Sequence, residues 1–255
     1  MKKLFICFFL LLILKNQAVA SPIDSSVFGK IMTCEPALTP LNDLVPFISG
    51  DLPLIIIPSA IKNTLPLVFV ISGDGGWTSF DQNFSKQLAE KGMPVVGLDA
   101  QKYFWKAKTP EECSAAIAKA VEHYMQQWDK KLFVLVGYSF GACVAPFIAN
   151  RFPTPLKQNV KGVYCLSPDK TADFEIHLAD MLSFNTTGKY NVLDEIKKIK
   201  EFNPICVFGE EEGSSLRNHF SESGAKIVIL PGNHHYNNDY HALAEIILRR
   251  FVIKK

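Results

Sequence analysis

No Cys-x-x-Cys pair and no metal-ligand spacing occurs among the six cysteines of this chain, so neither a thioredoxin-like redox motif nor a zinc finger is encoded. Long blocks of lysine or arginine are missing as well. With 27 basic against 25 acidic residues the formal charge is only +2, which excludes the electrostatic footprint of a nucleic-acid binder. Beyond the N-terminal leader no segment reaches about 18 uninterrupted apolar residues, so no membrane-spanning helix is expected there. Internal repeats and low-complexity tracts are absent, which leaves out solenoids and biased linkers.

What is present begins with Lys2 and Lys3, an apolar run from Leu4 to Leu14, and Ala18-Val19-Ala20 ahead of Ser21-Pro22. That is the layout of a secretory signal peptide over residues 1–20, cleaved to leave a soluble, exported, periplasmic protein. An uncleaved anchor is the competing reading, but the run is shorter than the roughly 20 residues that span a bilayer. Cys7 lacks the small-residue context of a lipoprotein site. Residues 21–255 suit one domain with a single core. The cysteines left in it, Cys34, Cys113, Cys143, Cys165 and Cys206, are odd in number. Cys143, Cys165 and Cys206 stand in apolar segments and are expected to be buried as small hydrophobes.

Short runs rich in Val, Ile and Phe alternate with amphipathic segments, the rhythm of a mostly parallel, doubly wound α/β sheet with helices on both faces. Strands are predicted at Leu67–Ile71, Pro94–Leu98, Leu132–Val136, Val160–Leu166, Pro204–Phe208 and Lys226–Leu230. Between them, Thr109-Pro110-Glu111-Glu112 starts a helix with threonine as N-cap and proline in the first turn. A last helix is expected from about Asp239 to Phe251. Phe174 to Leu178 alternates and reads as an edge strand or a cap over the site. The proline-rich region up to Ser59 suits antiparallel edge strands and turns.

Gly137-Tyr138-Ser139-Phe140-Gly141 directly follows one predicted strand and precedes the apolar helical run Ala142–Ala149. This is the strand–turn–helix context of a nucleophile elbow, and it predicts an α/β-hydrolase fold with Ser139 as nucleophile. A serine hydroxyl needs a base to take its proton, so an acid and then a histidine should follow in the chain. The acid is expected in the loop Gly209-Glu210-Glu211-Glu212-Gly213, with Glu212 favoured and Glu211 the alternative. The histidine is expected in Pro231-Gly232-Asn233-His234-His235, with His235 favoured and His234 the alternative. A metal site built from His234, His235, Asp239 and His241 is the weaker reading, so the predicted triad needs no metal or organic cofactor. His123, His177 and His219 have no motif around them. Backbone donors for the oxyanion are expected at Phe140 and at Asp74, in the glycine-rich loop Ser72-Gly73-Asp74-Gly75-Gly76-Trp77. That loop lacks the Lys-Ser/Thr ending of a phosphate-binding loop.

Together with Pro94-Val95-Val96-Gly97-Leu98-Asp99 and Tyr103-Phe104-Trp105, these motifs resemble the VirJ/AcvB family of bacterial virulence proteins from about Leu67 onward. The resemblance implies a periplasmic protein connected with virulence and type IV secretion components. Its AcvB branch implies hydrolysis of the aminoacyl ester of lysyl-phosphatidylglycerol, an aminoacylated phospholipid met at a membrane surface. Length matches the short VirJ form. Tyr103, Trp105 and Trp77 are candidates for substrate contact, Lys102, Lys106 and Lys108 for a lipid phosphate, and Asp74, Glu210 or Glu211 for an ammonium group. A noncatalytic periplasmic adaptor and a general esterase or lipase are the rival readings.

Overall fold

The computed structural model describes residues 52–176 and 188–251. The expected signal peptide, Cys34, most of the proline-rich N-terminal region, and His177 with Leu178 lie outside them. In chain order the strands are β1 (Leu54–Ile57), β2 (Leu67–Ile71), β3 (Val95–Leu98), β4 (Phe133–Tyr138), β5 (Val160–Leu166), β6 (Thr171–Ala172), β7 (Tyr190–Asn191), β8 (Ile205–Gly209) and β9 (Lys226–Leu230). The helices are α1 (Ser79–Glu90), α2 (Ala100–Tyr103), α3 (Pro110–Gln127), α4 (Phe140–Asn150), α5 (Thr154–Lys157), α6 (Val192–Lys198), α7 (Ser214–Glu222) and α8 (Tyr240–Leu248).

Seven strands form one sheet in the order β1-β3-β2-β4-β5-β8-β9. All pairs are parallel except β1 with β3, so the antiparallel edge expected before Ser59 is present in β1. The predicted strands match to within a residue or two. β9 departs from the expectation of a buried strand, because it closes the sheet and its side chains are half-buried or exposed. Successive side chains of a strand point to opposite faces, and β2 divides its five accordingly. Leu67, Phe69 and Ile71 join a core with Ile117 and Val121 of α3 and Val144 and Ile148 of α4. Val68 and Val70 join a second core with Phe84 and Leu88 of α1 and Leu243 and Ile247 of α8. A sheet covered on both faces has no room for alternating polar residues, hence the continuous apolar runs in the sequence.

Capping fixes where the helices begin. Thr109 accepts from the Glu112 amide at 3.1 Å while the Glu112 carboxylate accepts from the Thr109 amide at 2.8 Å, a reciprocal cap worth about 1 kcal/mol. Thr78 and Asp81 form the same box at the start of α1. Under α4, Glu195 is 2% exposed and receives Asn150, Arg151 and Lys198. Burial pushes its carboxyl up, but those donors outweigh burial and hold it below its ordinary value. The thiols of Cys113, Cys143, Cys165 and Cys206 are free and buried, and Cys165 stands opposite Cys206 across β5 and β8.

The motif residues set the spacing between layers. A side chain at Gly97 would run into the ring of Trp77, and one at Gly141 into the carbonyl oxygens of Ile71 and Ser72. Gly141→Ala is therefore expected to destabilise the fold by about 1–3 kcal/mol through overpacking, seen as a lower Tm. Gly213→Ala is the control, since nothing lies within 4 Å of an added Cβ there. It should be neutral or stabilising by up to about 1 kcal/mol.

Candidate active site

Ser139 stands between the end of β4 and the first turn of α4, with φ 52° and ψ −114°. A non-glycine residue holds such a backbone only where its surroundings enforce it. Here the Ser139 amide donates to Leu166 O at 2.8 Å, while the amides of Ala142 and Cys143 return to Ser139 O. A side chain at Gly137 would collide with the Gly141 carbonyl, so the turn closes only with glycine on both sides. The amides of Phe140 and Asp74 have no hydrogen-bond acceptor among the described residues. The loop carrying Asp74 closes with a Gly73–Gly76 bridge, and a Cβ on Gly73 would sit 3.5 Å from that of Ser139. Both predicted oxyanion donors thus flank the serine.

Glu212 follows β8, and its loop is pinned by Arg217, which donates to the carbonyls of Gly209, Glu210 and Glu212. Its Oε2 accepts from the Gly209 amide at 2.6 Å and from the Ser167 hydroxyl at 2.7 Å. Its Oε1 lies 3.0 Å from His234 Nδ1. A carboxylate partner places the proton on Nδ1 and leaves Nε2 as the acceptor of the ring. Burial pushes the Glu212 carboxyl up, but the hydrogen bonds from His234, Ser167 and Gly209 outweigh it and hold the group below its ordinary value.

The favoured histidine of the sequence reading is displaced by its neighbour. His235 is exposed, and its Nδ1 lies 2.7 Å from the Tyr138 hydroxyl, away from Glu212. The reason is the anchoring of the next residue. Tyr236 is fully buried, and its hydroxyl sits 2.6 Å from Ser167 and 3.1 Å from Val207 O. With Tyr236 pinned and the Asn233 side chain accepting from the His235 amide at 2.9 Å, His235 turns toward α1 and His234 toward the acid. Of the adjacent glutamates, Glu212 makes this contact, while Glu210 and Glu211 are exposed.

Ser139, Phe140, Asp74 and His234 open onto one cavity of about 290 Å³. Its charged lining is acidic: Asp169, Asp173 and Glu175 join Asp74, and no lysine or arginine is among its described lining residues. Cys143 also lines it, but burial pushes that thiol up to about 12, so it is not ionised near neutral pH. Trp77, Tyr103 and Trp105 do not line the cavity. The Trp77 indole covers Gly97 and donates to Gln82 at 2.9 Å. Tyr103 is buried under Lys108, whose Nζ lies 4.6 Å from the ring centre, and Trp105 points outward, 52% exposed. Phe104, between them, packs edge-on against Phe140 at 5.0 Å, behind the elbow. Lys102 is paired with Asp99 at 2.7 Å. Among the described residues no group of three or more His, Cys, Asp and Glu is poised to hold a metal.

Sequence reasoning missed Ser167, Asp169, Asp173 and Glu175. Their signal was positional, since all follow the carboxyl end of β5, where ligands bind in open α/β sheets.

Sheet order, covered faces and the strained serine define the class, an α/β-hydrolase fold. A lipase-esterase related protein from Clostridium acetobutylicum superposes with a TM-score of 0.55 at 15% identity, over 80% of this chain and 100% of that one. The thioesterase domain from the curacin biosynthetic pathway does so with 0.52 at 18% identity, over 76% and 94%. Within that class the bacterial virulence protein family VirJ matches residues 66–254, and the chain belongs to this family. No curated protein matches it in sequence.

Removing the Ser167 hydroxyl takes one donor from Glu212. A depressed carboxyl contributes stability above its unfolded pKa of about 4.3, and this is lost as pH falls through the folded value. Ser167→Ala should therefore raise the Glu212 pKa and start acid unfolding at higher pH, measured by carboxyl-carbon NMR titration and by circular dichroism against pH.

Proposed function

We propose that the protein is a periplasmic serine hydrolase that cleaves the aminoacyl ester of a phospholipid carrying a cationic amino acid, lysyl-phosphatidylglycerol being the favoured substrate. The observation that carries this reading is the acidic lining beside Ser139 and the Glu212–His234 pair. A cavity of about 290 Å³ edged by Asp74, Asp169 and Asp173 suits a compact acyl group bearing ammonium charges better than a long neutral acyl chain. Export rests on the leader at residues 1–20, and the link to virulence and type IV secretion rests on the family.

In this reading Ser139 Oγ attacks the lysyl carbonyl carbon while His234 Nε2 takes the hydroxyl proton. The negative charge on the carbonyl oxygen develops beside the Phe140 and Asp74 amides, whose N–H groups have no other acceptor among the described residues, and they stabilise it. Collapse expels the glycerol oxygen of phosphatidylglycerol, which takes the proton from His234 and leaves a lysyl ester on Ser139. Water then enters, gives its proton to His234 and attacks that ester, releasing lysine and returning the proton to Ser139. Glu212 holds the ring and stabilises its cationic form in both halves.

The test follows free lysine and phosphatidylglycerol by mass spectrometry after mixing the purified protein with lysyl-phosphatidylglycerol. Ser139→Ala and His234→Ala should each lose at least about a thousandfold in kcat, whereas His235→Ala should stay within a few-fold of wild type. Loss with His235→Ala and retention with His234→Ala would reverse the histidine assignment. No release by wild type, with no labelling of Ser139 by a fluorophosphonate, would favour the adaptor reading; labelling without release would keep the hydrolase and discard this lipid.

Recognition of the lysine side chain has its own test. Asp169→Asn and Asp173→Asn should each raise KM for lysyl-phosphatidylglycerol about two- to fivefold, as expected for partly exposed ion pairs, and leave alanyl-phosphatidylglycerol less affected. Equal effects on both lipids would remove the acidic lining from side-chain recognition.

A further inference from the structure

A second concavity, of about 530 Å³, lies at the other end of the sheet, where β8 and β9 begin. Lys200, Lys226, Arg249 and Arg250 line it, with no aspartate or glutamate among its described lining residues. None of the four forms an ion pair with a described residue. Glu245, one turn before Arg249 on α8, is held instead by Lys91 at 2.9 Å. Four like charges around one hollow repel each other, a cost that a bound anion relieves.

Two further observations give the hollow its character. Ile205, Val228 and Ile246 also line it, so the cations border apolar ground where charge-assisted hydrogen bonds are less exposed to competing water. Arg250 also lies beside the hydroxyl of Tyr164, which is fully buried and has no hydrogen-bond partner of normal geometry. The hydroxyl does not itself line the hollow but backs the Arg250 guanidinium from the protein side. Tyr164 pairs in register with Ile205, which connects it to the lining.

We infer that this hollow is a binding site for a phosphate-bearing anion, separate from the Ser139 cavity. A single carboxylate would leave most of four cations uncompensated, whereas a phosphate offers up to two charges and several acceptor oxygens to arginine forks. The two sites stand at opposite ends of the same strands. β8 and β9 each run five residues, about 16 Å, from the basic hollow to the loops that carry Glu212 and His234. A group bound here does not touch the ester site, so the inference does not depend on the proposed reaction.

Its test is titration calorimetry of the purified full chain with inorganic phosphate, pyrophosphate and glycerol 3-phosphate. Flotation with phosphatidylcholine vesicles, with and without phosphatidylglycerol, forms the second arm. Binding in either arm should weaken with salt, falling roughly tenfold in Arg250→Ala and further in the double variant Lys226→Ala/Arg250→Ala. Lys119→Ala, an exposed cation on α3 that lines neither cavity, should leave it unchanged. Binding of the soluble probes names a soluble phosphate ester as ligand, and binding only of the anionic vesicles names a lipid headgroup. The inference is overturned if no probe binds, or if the basic-site variants, with wild-type Tm, bind as wild type does. It is overturned equally if Lys119→Ala lowers binding as much as Arg250→Ala does.

Discussion

Three stretches of backbone meet around Ser139 at distances that leave no room for side chains. The start of α4 lies against the end of β2, where a Cβ on Gly141 would enter the carbonyls of Ile71 and Ser72, and Gly137 lies against Gly141 itself. This crowding holds the serine at φ 52°, a conformation that an isolated chain would leave at once. The strain is retained because the strands on either side are fully buried and because Leu166 of the next strand takes the serine amide. Loosening any of the three would relax the serine into an ordinary turn and take its oxygen out of line with the neighbouring amides.

The acid and the histidine depend on a second close approach. Gly209 ends β8 where a side chain would strike the carbonyl of Asn233, so the loop with Glu212 and the loop with His234 run in contact. Ser167 and Tyr236 then join them from below, through a hydroxyl pair 2.6 Å apart. Ser167 itself has φ 53° and Tyr236 φ 52°. Among the described residues, left-handed non-glycine backbone thus falls after the carboxyl ends of β4, β5 and β9, and otherwise only at Asp129 and Asn203, ahead of β4 and β8.

Much of this could be read in the chain before its structure. The apolar runs marked the strands to within a residue or two because a sheet covered on both faces tolerates little else, and the elbow was legible because its glycines are dictated by local sterics. The helix start at Thr109 was visible for the same reason, since the N-cap and the proline of the first turn lie side by side in the chain. The choice between His234 and His235 was not legible. Adjacent residues differ by which way the loop turns, and that turn is set by Tyr236 reaching Ser167 and Val207, contacts 69 and 29 residues apart in sequence. Tyr103, Trp105 and Trp77 read as substrate contacts because exposed and buried aromatics look alike in one dimension. Tyr103 is buried and Trp77 packs over Gly97, and the acidic lining after β5 carries no local pattern at all.

Parallel strands give the two ends of a sheet different chemistry, and here the difference is one of sign. Carboxylates gather where the strands finish and cations where β8 and β9 start, so these two groups contribute an electric moment directed along the strands while the net charge stays near zero. A particle of that kind feels little pull toward a charged surface but a definite torque. Near an anionic layer the moment of these two groups favours the basic end inward, and near a layer rich in cationic headgroups it favours the serine end. That torque fades beyond a Debye length, about 8 Å at physiological ionic strength, so orientation of this kind belongs to the last step of approach.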